Sequence, residues 1–404
     1  MKKHYDAIII GGGASGMMCA IAAKQKNKNL RIAILEKNDR IGKKLLSTGN
    51  GRCNLTNENI CVEKYVGSFS NQCDAVIKKC NTKELLSRFE ALGLLCTFDS
   101  EGRYYPLCKQ ASAVLDVLRF ALDRLGISVF CSTDIRSLKK TNDTFIIRSE
   151  SDEFSADKLV IASGSKAAPK LGGSAGGADY LKNLGHHFQP FSPALCPITV
   201  QSAVLKSLKG IRANGSVRLI RNGKTIKTEQ GEIQFAENSL SGICIFNLSP
   251  FVKNQDEIAV DLLPNLSNKE LSLILKKNIR LFSSMEVDTL FTGILQKRIA
   301  QAILKMSHIK EFSRTCQTLS DNELKNIVQT AKEMSFTVTG KAGFDRAQAA
   351  TGGVVGSEID ENTMQSKVCE NLFVCGEVID LCGECGGYNL HFAFASGIIA
   401  GENL

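Results

Sequence analysis

The sequence predicts an α/β fold: a Rossmann-like dinucleotide-binding domain interrupted by an inserted β-rich plus helical domain. Three observations carry this. A β-branched run near the N-terminus leads straight into Gly-x-Gly-x-x-Gly. Three of only seven prolines (Pro190, Pro193, Pro197) fall close together, and the sequence changes style after them. Near the C-terminus the chain returns to a strand, a glycine turn and an apolar helix. The 404 residues exceed what one core holds and suggest two or three domains. The expected division is 1–190 with 345–404 for the dinucleotide domain, 191–266 with 335–344 for the β-rich part, and 267–334 for the helical part.

Residues 7–10 are a continuous apolar run, as suits a parallel strand buried on both faces. Gly11-x-Gly13-x-x-Gly16 follows at once, and 17–24 read as a helix with small residues toward the sheet. A second strand, 31–35, ends at Glu36, where an acid can hydrogen-bond a ribose hydroxyl. The first glycine permits the tight turn and the second lets a pyrophosphate approach the backbone. The helix N-terminus offers free N–H groups and positive potential. Ala14, Ser15 and Lys37 flank these positions and are expected contacts too. Glu36 argues for an unphosphorylated ribose, hence NAD or the ADP half of FAD.

The next stretch, "IGKKLLSTGNGRCNLTN", is a polar glycine-rich loop. Ser47, Gly49, Gly51, Cys53 and Asn54 lie in it, and Lys44 and Arg52 add positive charge. A plain NAD dehydrogenase has no need of a second anion-friendly loop. FAD extends past its pyrophosphate and does need a second set of contacts.

Further on, 127–130, 145–148 and 159–162 read as strands, a β-meander followed by a strand rejoining the main sheet. Ile135, between the first two, is an expected cofactor contact, as are Ser163 and Gly164 at the end of the third. Past the prolines, Asn222-Gly223 signals a hairpin, and Ser267…Glu270 and Ser320…Glu323 signal capping boxes of a mainly helical segment. The returning strand, 372–375, ends in Gly376-Glu377, a polar strand end that can meet a ribityl chain. The closing helix starts after Gly386-Gly387, with Tyr388 and Asn389 in its first turn. Its dipole would stabilise negative charge on the N1/C2=O edge of a reduced flavin.

Together, the "GGGASG" turn with Glu36, the "GNGRCN" loop, "GEVID" and "CGGYN" resemble the BaiN/RdsA-type NAD(P)/FAD-dependent flavoproteins, a YhiN-like family within the glutathione-reductase-like FAD-binding superfamily. The resemblance extends over essentially the whole chain. It implies a Rossmann-like FAD-binding domain of glutathione-reductase type, non-covalently bound FAD, and an inserted domain covering the flavin. Members of the family have been linked to reduction of the uracil ring in ribosomal RNA, reduction of steroid double bonds, and oxidation of aminoacetone.

Apolar residues make up 43% of the chain and charged residues 23%, an ordinary globular balance. No run approaches the roughly 18 apolar residues of a membrane span, and the N-terminal apolar run is too short for a signal segment. A cytoplasmic protein is expected. In that reducing setting most of the fifteen scattered cysteines read as small buried residues. Cys382 and Cys385 form a Cys-x-x-Cys, but no second such pair or histidine pair completes a zinc site, so no metal is expected. A redox dithiol is the alternative. Disulfide reductases of this superfamily usually carry a second dinucleotide motif, and 172–181, "GGSAGGADYL", lacks the preceding strand and later acid.

The expected activity is therefore an FAD oxidoreductase: NAD(P)H docks transiently, and hydride passes from flavin N5 to an activated C=C bond. A proton donor is then required, and Cys53, Cys385 and Tyr388 are the candidates. The leading substrate is a uracil ring in ribosomal RNA, giving dihydrouridine. The alternatives are a small-molecule enone or steroid, an amine oxidase using oxygen, and a redox sensor working through Cys382 and Cys385. The formal charge is +9, and Lys206, Lys209, Arg212, Arg218, Arg221, Lys224 and Lys227 fall in one stretch without an acid. That pattern suits phosphate contacts; the plain alternative is a solvated strand face.

Overall fold

The computed structural model describes residues 3–404. The chain divides into two compact units, one of Met1–Ala194 with Phe344–Leu404 and one of Leu195–Gly343.

The first unit is built on a seven-stranded sheet in the order Ser128–Phe130, Ile32–Leu35, Lys3–Ile10, Glu153–Ile161, Thr144–Ser149, Ile135–Thr141, with Leu372–Val374 also pairing Glu153–Ile161. The strand Glu153–Ile161 has two different partners along one edge. Its first half pairs antiparallel with the meander (Ala156 opposite Phe145), and its second half pairs parallel with the returning strand (Ile161 opposite Val374). The parallel strand Lys3–Ile10 ends in four buried residues, Ala7 to Ile10, as its run of apolar side chains requires.

The structure corrects one expectation here. Ser128–Phe130 belongs to the parallel sheet beside Ile32–Leu35 and is not part of the meander. The missing meander strand is Ile135–Thr141, whose pairing register shifts between Ile135 and Ser137. That bulge puts the buried positions Ile135 and Leu138 three apart, so the period-2 signal of a strand is lost.

The helix Ala14–Lys26 is buried from Ser15 through Ala23 and lies against the closing helix Tyr388–Glu402. Their backbones nearly touch. A Cβ added at Gly397 would stand 2.4 Å from the Ser15 carbonyl oxygen, and one at Gly401 would stand 2.2 Å from that of Cys19. The "GIIAG" spacing thus lets two buried helices cross at a distance no larger residue permits.

Pro190 and Pro193 lie within a strand, Phe188–Ala194, that pairs with Ala349–Val354. The ladder is irregular between Gln189 and Ser192, the setting in which a strand tolerates proline.

The second unit holds a closed six-stranded barrel in the order Ile198–Gln201, Ser239–Ser241, Lys224–Phe235, Arg212–Arg221, Glu257–Asp261, Met334–Lys341. The Asn222-Gly223 turn has both residues at positive φ (50° and 73°), as a two-residue hairpin of this kind demands. Helices Asn268–Leu281, Lys297–Met306 and Asp321–Lys332 pack into the same core as the barrel strands, and both capping boxes are formed.

The basic stretch does not form the acid-free face expected. Acids from elsewhere in the unit pair with five of its seven members: Lys209 with Glu237, Arg212 with Glu232, Arg218 with Glu333, Arg221 with Asp256 and Lys227 with Glu229. Arg221 is a structural clamp. Its Nε and Nη2 each donate to the Asp256 carboxylate at 2.8 Å, Nη2 donates to the Phe251 carbonyl, and Asp256 is 3% exposed.

No helix among the described residues is long and apolar enough to cross a membrane. None of the fifteen cysteines is joined in a disulfide.

Candidate functional site

A cleft opens in the first unit along the ends of the parallel strands. At one end it is lined by Glu36, Lys37 and Asn38 with Thr133, Asp134, Ile135 and Tyr180; at the other by Leu381, Asn389, Leu390, Phe392 and Ala393. Between them lie Gly11–Ser15, Lys43–Leu45, Thr48, Ser163–Ser165 and Glu377. It is a long groove outside the carboxyl ends of parallel strands, where such sheets bind nucleotides.

The turn after the first strand is built for close approach. Gly11 has φ +110°, and a Cβ there would meet the Ala162 carbonyl oxygen at 2.4 Å. Gly16 does not line the cleft; its own Cβ would stand 2.0 Å from the Gly11 carbonyl oxygen, so it serves helix-to-turn packing. Glu36 is buried and anchors the turn: Oε2 accepts from the Gly12 N–H at 2.8 Å and Oε1 from the Asn38 N–H at 2.8 Å. At the strand end opposite, Ser163 Oγ is buried without a hydrogen-bond partner, and the Gly177 backbone is so close that a Cβ there would come to 1.8 Å from it.

These features fit FAD. The glycine turn leaves room for a pyrophosphate, Glu36 faces a ribose position, the orphan Ser163 hydroxyl waits for a polar partner, and the cleft runs on past the pyrophosphate position to the start of the closing helix. Gly11, Gly13, Ala14, Ser15, Glu36, Lys37, Lys44, Ile135, Ser163, Gly164, Glu377 and Asn389 all lie in the cleft wall.

Other expected contacts stand outside that lining. The loop holding Gly49, Gly51, Arg52, Cys53 and Asn54 folds on itself through positive φ at Gly49, Asn50, Gly51 and Cys53. The Arg52 N–H donates to the Gly49 carbonyl, and the Cys53 N–H to that of Thr48. Of this loop only Thr48 reaches the cleft; Ser47, just before it, is turned back by a hydrogen bond to the Lys44 carbonyl. The Arg52 guanidinium stacks over Tyr105, 5.0 Å from the ring centre. Gly376, at φ +77°, is needed because a Cβ would strike Ser15 Oγ at 2.4 Å. Gly386 and Gly387 take positive φ to start the closing helix, and a Cβ at Gly387 would lie 2.5 Å from the Thr56 carbonyl oxygen.

The expected proton donors fare unequally. Cys53 is fully buried outside the cleft lining, and burial pushes its thiol up to about 12. Tyr388 is 6% exposed, its ring lies edge-on against Tyr65, and burial raises its hydroxyl. Cys385 is half-buried. It sits in a loop tied down by Asn389, whose Oδ1 accepts from the Gly383 N–H at 2.9 Å and whose Nδ2 donates to the Gly383 carbonyl at 2.8 Å. Cys382 is buried in the short strand Cys382–Gly383, paired with Tyr65–Val66.

Sequence reasoning missed one whole wall. Gly172–Ser174, Gly176, Gly177 and Tyr180 line the cleft, and Tyr180 Oη donates to the Ile135 carbonyl at 2.7 Å. This is the "GGSAGGADYL" stretch. It fails as a second dinucleotide motif, yet it contributes to the first site; its glycine density was the available signal.

Two full-length relatives have named activities. The chain is 32% identical over 400 residues to the 3-dehydro-bile acid delta(4,6)-reductase of Clostridium scindens, covering 98% of this chain and 97% of that protein. It is 24% identical to the ribosomal RNA dihydrouridine synthase of Escherichia coli K12, covering 100% of this chain and 98% of that protein. Among solved structures, a quinol–fumarate reductase with menaquinol molecules shares the fold, with a TM-score of 0.53 and 15% identity over 100% of this chain and 71% of that one. The family model described as the HI0933-like protein Rossmann domain matches residues 5–403. The chain therefore belongs to the HI0933-like family, a family of FAD-binding oxidoreductases.

Proposed function

We propose that this protein is a cytoplasmic, NAD(P)H-driven reductase of a carbon–carbon double bond conjugated to a carbonyl, with a uracil ring in ribosomal RNA as its leading acceptor. One observation carries the bond class. The two relatives named above match nearly end to end, and their names describe unlike molecules that share one reacting group, a C=C in conjugation with C=O.

FAD, when bound, supplies the hydride, and NAD(P)H restores it. The chain's own part is to hold, orient and protonate. The Gly11–Gly16 turn receives the pyrophosphate and Glu36 a ribose hydroxyl. The N-terminus of Tyr388–Glu402 lends positive potential to the far end of the cleft. Hydride addition at the β-carbon of the acceptor leaves an enolate that needs a proton at the α-carbon. Of the three expected donors only Cys385 is half-buried, Cys53 and Tyr388 both being buried, and we assign it that proton.

RNA as acceptor is supported by the net charge of +9. With five of the seven basic side chains ion-paired, Lys206 and Lys224 become the probes of choice, because Arg221 holds the barrel together. Lys206→Glu with Lys224→Glu is expected to weaken RNA binding several-fold and to flatten its salt dependence by about one unit of slope per lost phosphate contact, with FAD content unchanged. Unaltered RNA affinity would move the assignment to a small-molecule enone, the second reading, which the 32% identity to the bile acid reductase favours.

The primary test is anaerobic mixing of the purified protein with NADPH and NADH while following the flavin absorbance. Bleaching by either is expected, with recovery on adding unmodified ribosomal RNA or a 4-en-3-oxo steroid identifying the acceptor. Retained colour with both nucleotides, in the presence and absence of acceptor, overturns the reductase reading.

A further inference from the structure

Lys44 and Glu377 both line the cleft, and Lys44 Nζ stands 2.5 Å from Glu377 Oε2. They are brought together from far apart in the chain. Lys44 comes from the short helix Lys43–Ser47, entered through Gly42 at φ +74°. Glu377 follows the strand Leu372–Val374 and the positive-φ turn at Gly376. Their side chains are 33% and 17% exposed. The second carboxylate oxygen of Glu377, Oε1, accepts from the Ala350 N–H at 3.2 Å. The carboxylate is thus fixed at both oxygens, and it fixes the ammonium in turn.

The cleft is also lined by Glu36, Lys37, Lys43 and Asp134. Glu36 is bound by the backbone N–H groups of Gly12 and Asn38 at the far end. Lys43 is drawn off to Asp39, itself 70% exposed. Lys44–Glu377 is a matched pair of opposite charges next to the Ser163–Gly164 strand end; a Cβ added at Gly164 would stand 4.0 Å from Glu377 Oε2.

We infer that Lys44 and Glu377 are positioning residues that neutralise one another in the wall of the cofactor cleft, so that neither charge by itself biases how readily the bound cofactor accepts electrons. This rests on the reading that the cleft binds FAD. The physics is simple. Two-electron reduction adds negative charge to the cofactor. A pair of opposite charges in contact has little net effect at a distance. A lone ammonium in the same wall favours the added charge, and a lone carboxylate opposes it, both strongly in a partly desolvated cleft.

The test is the FAD reduction potential of Lys44→Met, Glu377→Gln and the double variant, measured by dye equilibration at saturating FAD. Lys44→Met leaves the carboxylate alone and is expected to lower the potential. Glu377→Gln leaves the ammonium alone and is expected to raise it. The double variant is expected near the wild-type value, because the pair is removed as a unit. A purely structural role has no reason to give opposite signs: shifts in the same direction, or none, overturn the inference. Lys44→Gln replaces Lys44→Met if the latter fails to fold. Wild-type protein that takes up no FAD overturns the cofactor reading itself, and this inference with it, a result distinct from flavin-loaded variants that fail the sign test.

Discussion

Gly11→Ala is expected to abolish FAD retention and to destabilise the first unit by about 3 kcal/mol. Two costs add. The residue sits at φ +110°, where an L side chain is strained by roughly 1–2 kcal/mol. Its Cβ would also lie 2.4 Å from the Ala162 carbonyl oxygen, a contact with backbone that cannot rotate away. Overpacking of this kind costs about 1–3 kcal/mol. Relief requires the Gly11 turn and the strand end at Ala162 to separate, and both of these packed segments line the cleft. Urea unfolding with flavin absorbance of the purified variant measures both effects. A variant as yellow and as stable as the wild type would refute the assignment of this turn.

His391 is expected to make the protein acid-labile between about pH 6.5 and 4. It is fully buried on the closing helix, its Nδ1 lies 2.8 Å from Thr56 Oγ1, and its Nε2 has no partner. Burial pushes its pKa down from 6.5 to about 4. The unfolded chain takes up the proton near 6.5, while the folded chain resists until about 4. Stability is therefore full above 6.5 and falls as the pH drops through this window, by about 3 kcal/mol in total. His186 is also buried and its pKa also lowered, chiefly by desolvation, so the wild-type slope contains both residues. His391→Leu should flatten the slope by the His391 share, read as the difference between denaturation midpoints at pH 7.5 and pH 5 for the two proteins. Equal slopes would show that the imidazole reaches water.

Much of this was legible in the sequence, and the losses have specific causes. The Gly11–Gly16 turn, Glu36, Ser163-Gly164 and Glu377 each end or follow a buried parallel strand, and strand ends in such sheets converge on one crevice. The "GNGRCN" loop was expected at the cofactor from its glycine density, which also reports what a backbone needs. Here the need is a run of left-handed residues whose N–H groups close on their own carbonyls. The opposite happened at 172–181, set aside because it lacks the strand and acid of a dinucleotide motif, although its residues supply one wall of the cleft. The basic stretch looked unpaired because its acids, Glu237, Asp256 and Glu333, come from later in the chain. Cys53 looked available for chemistry because a loop position suggests exposure, yet it is fully buried.

The contact between the first and last helices has a consequence for biosynthesis. Gly397 and Gly401, whose bare backbones cover Ser15 and Cys19, are made long after them. Nearly the whole chain, including the intervening Leu195–Gly343 unit, is made while the outer side of the first helix waits for its cover. The second unit can close its barrel from its own contiguous residues during that interval. The nascent first unit meanwhile presents an apolar face and half a cleft. A nascent chain that has not yet made this helix has its glycine turn but lacks the cleft wall formed by Asn389, Leu390, Phe392 and Ala393.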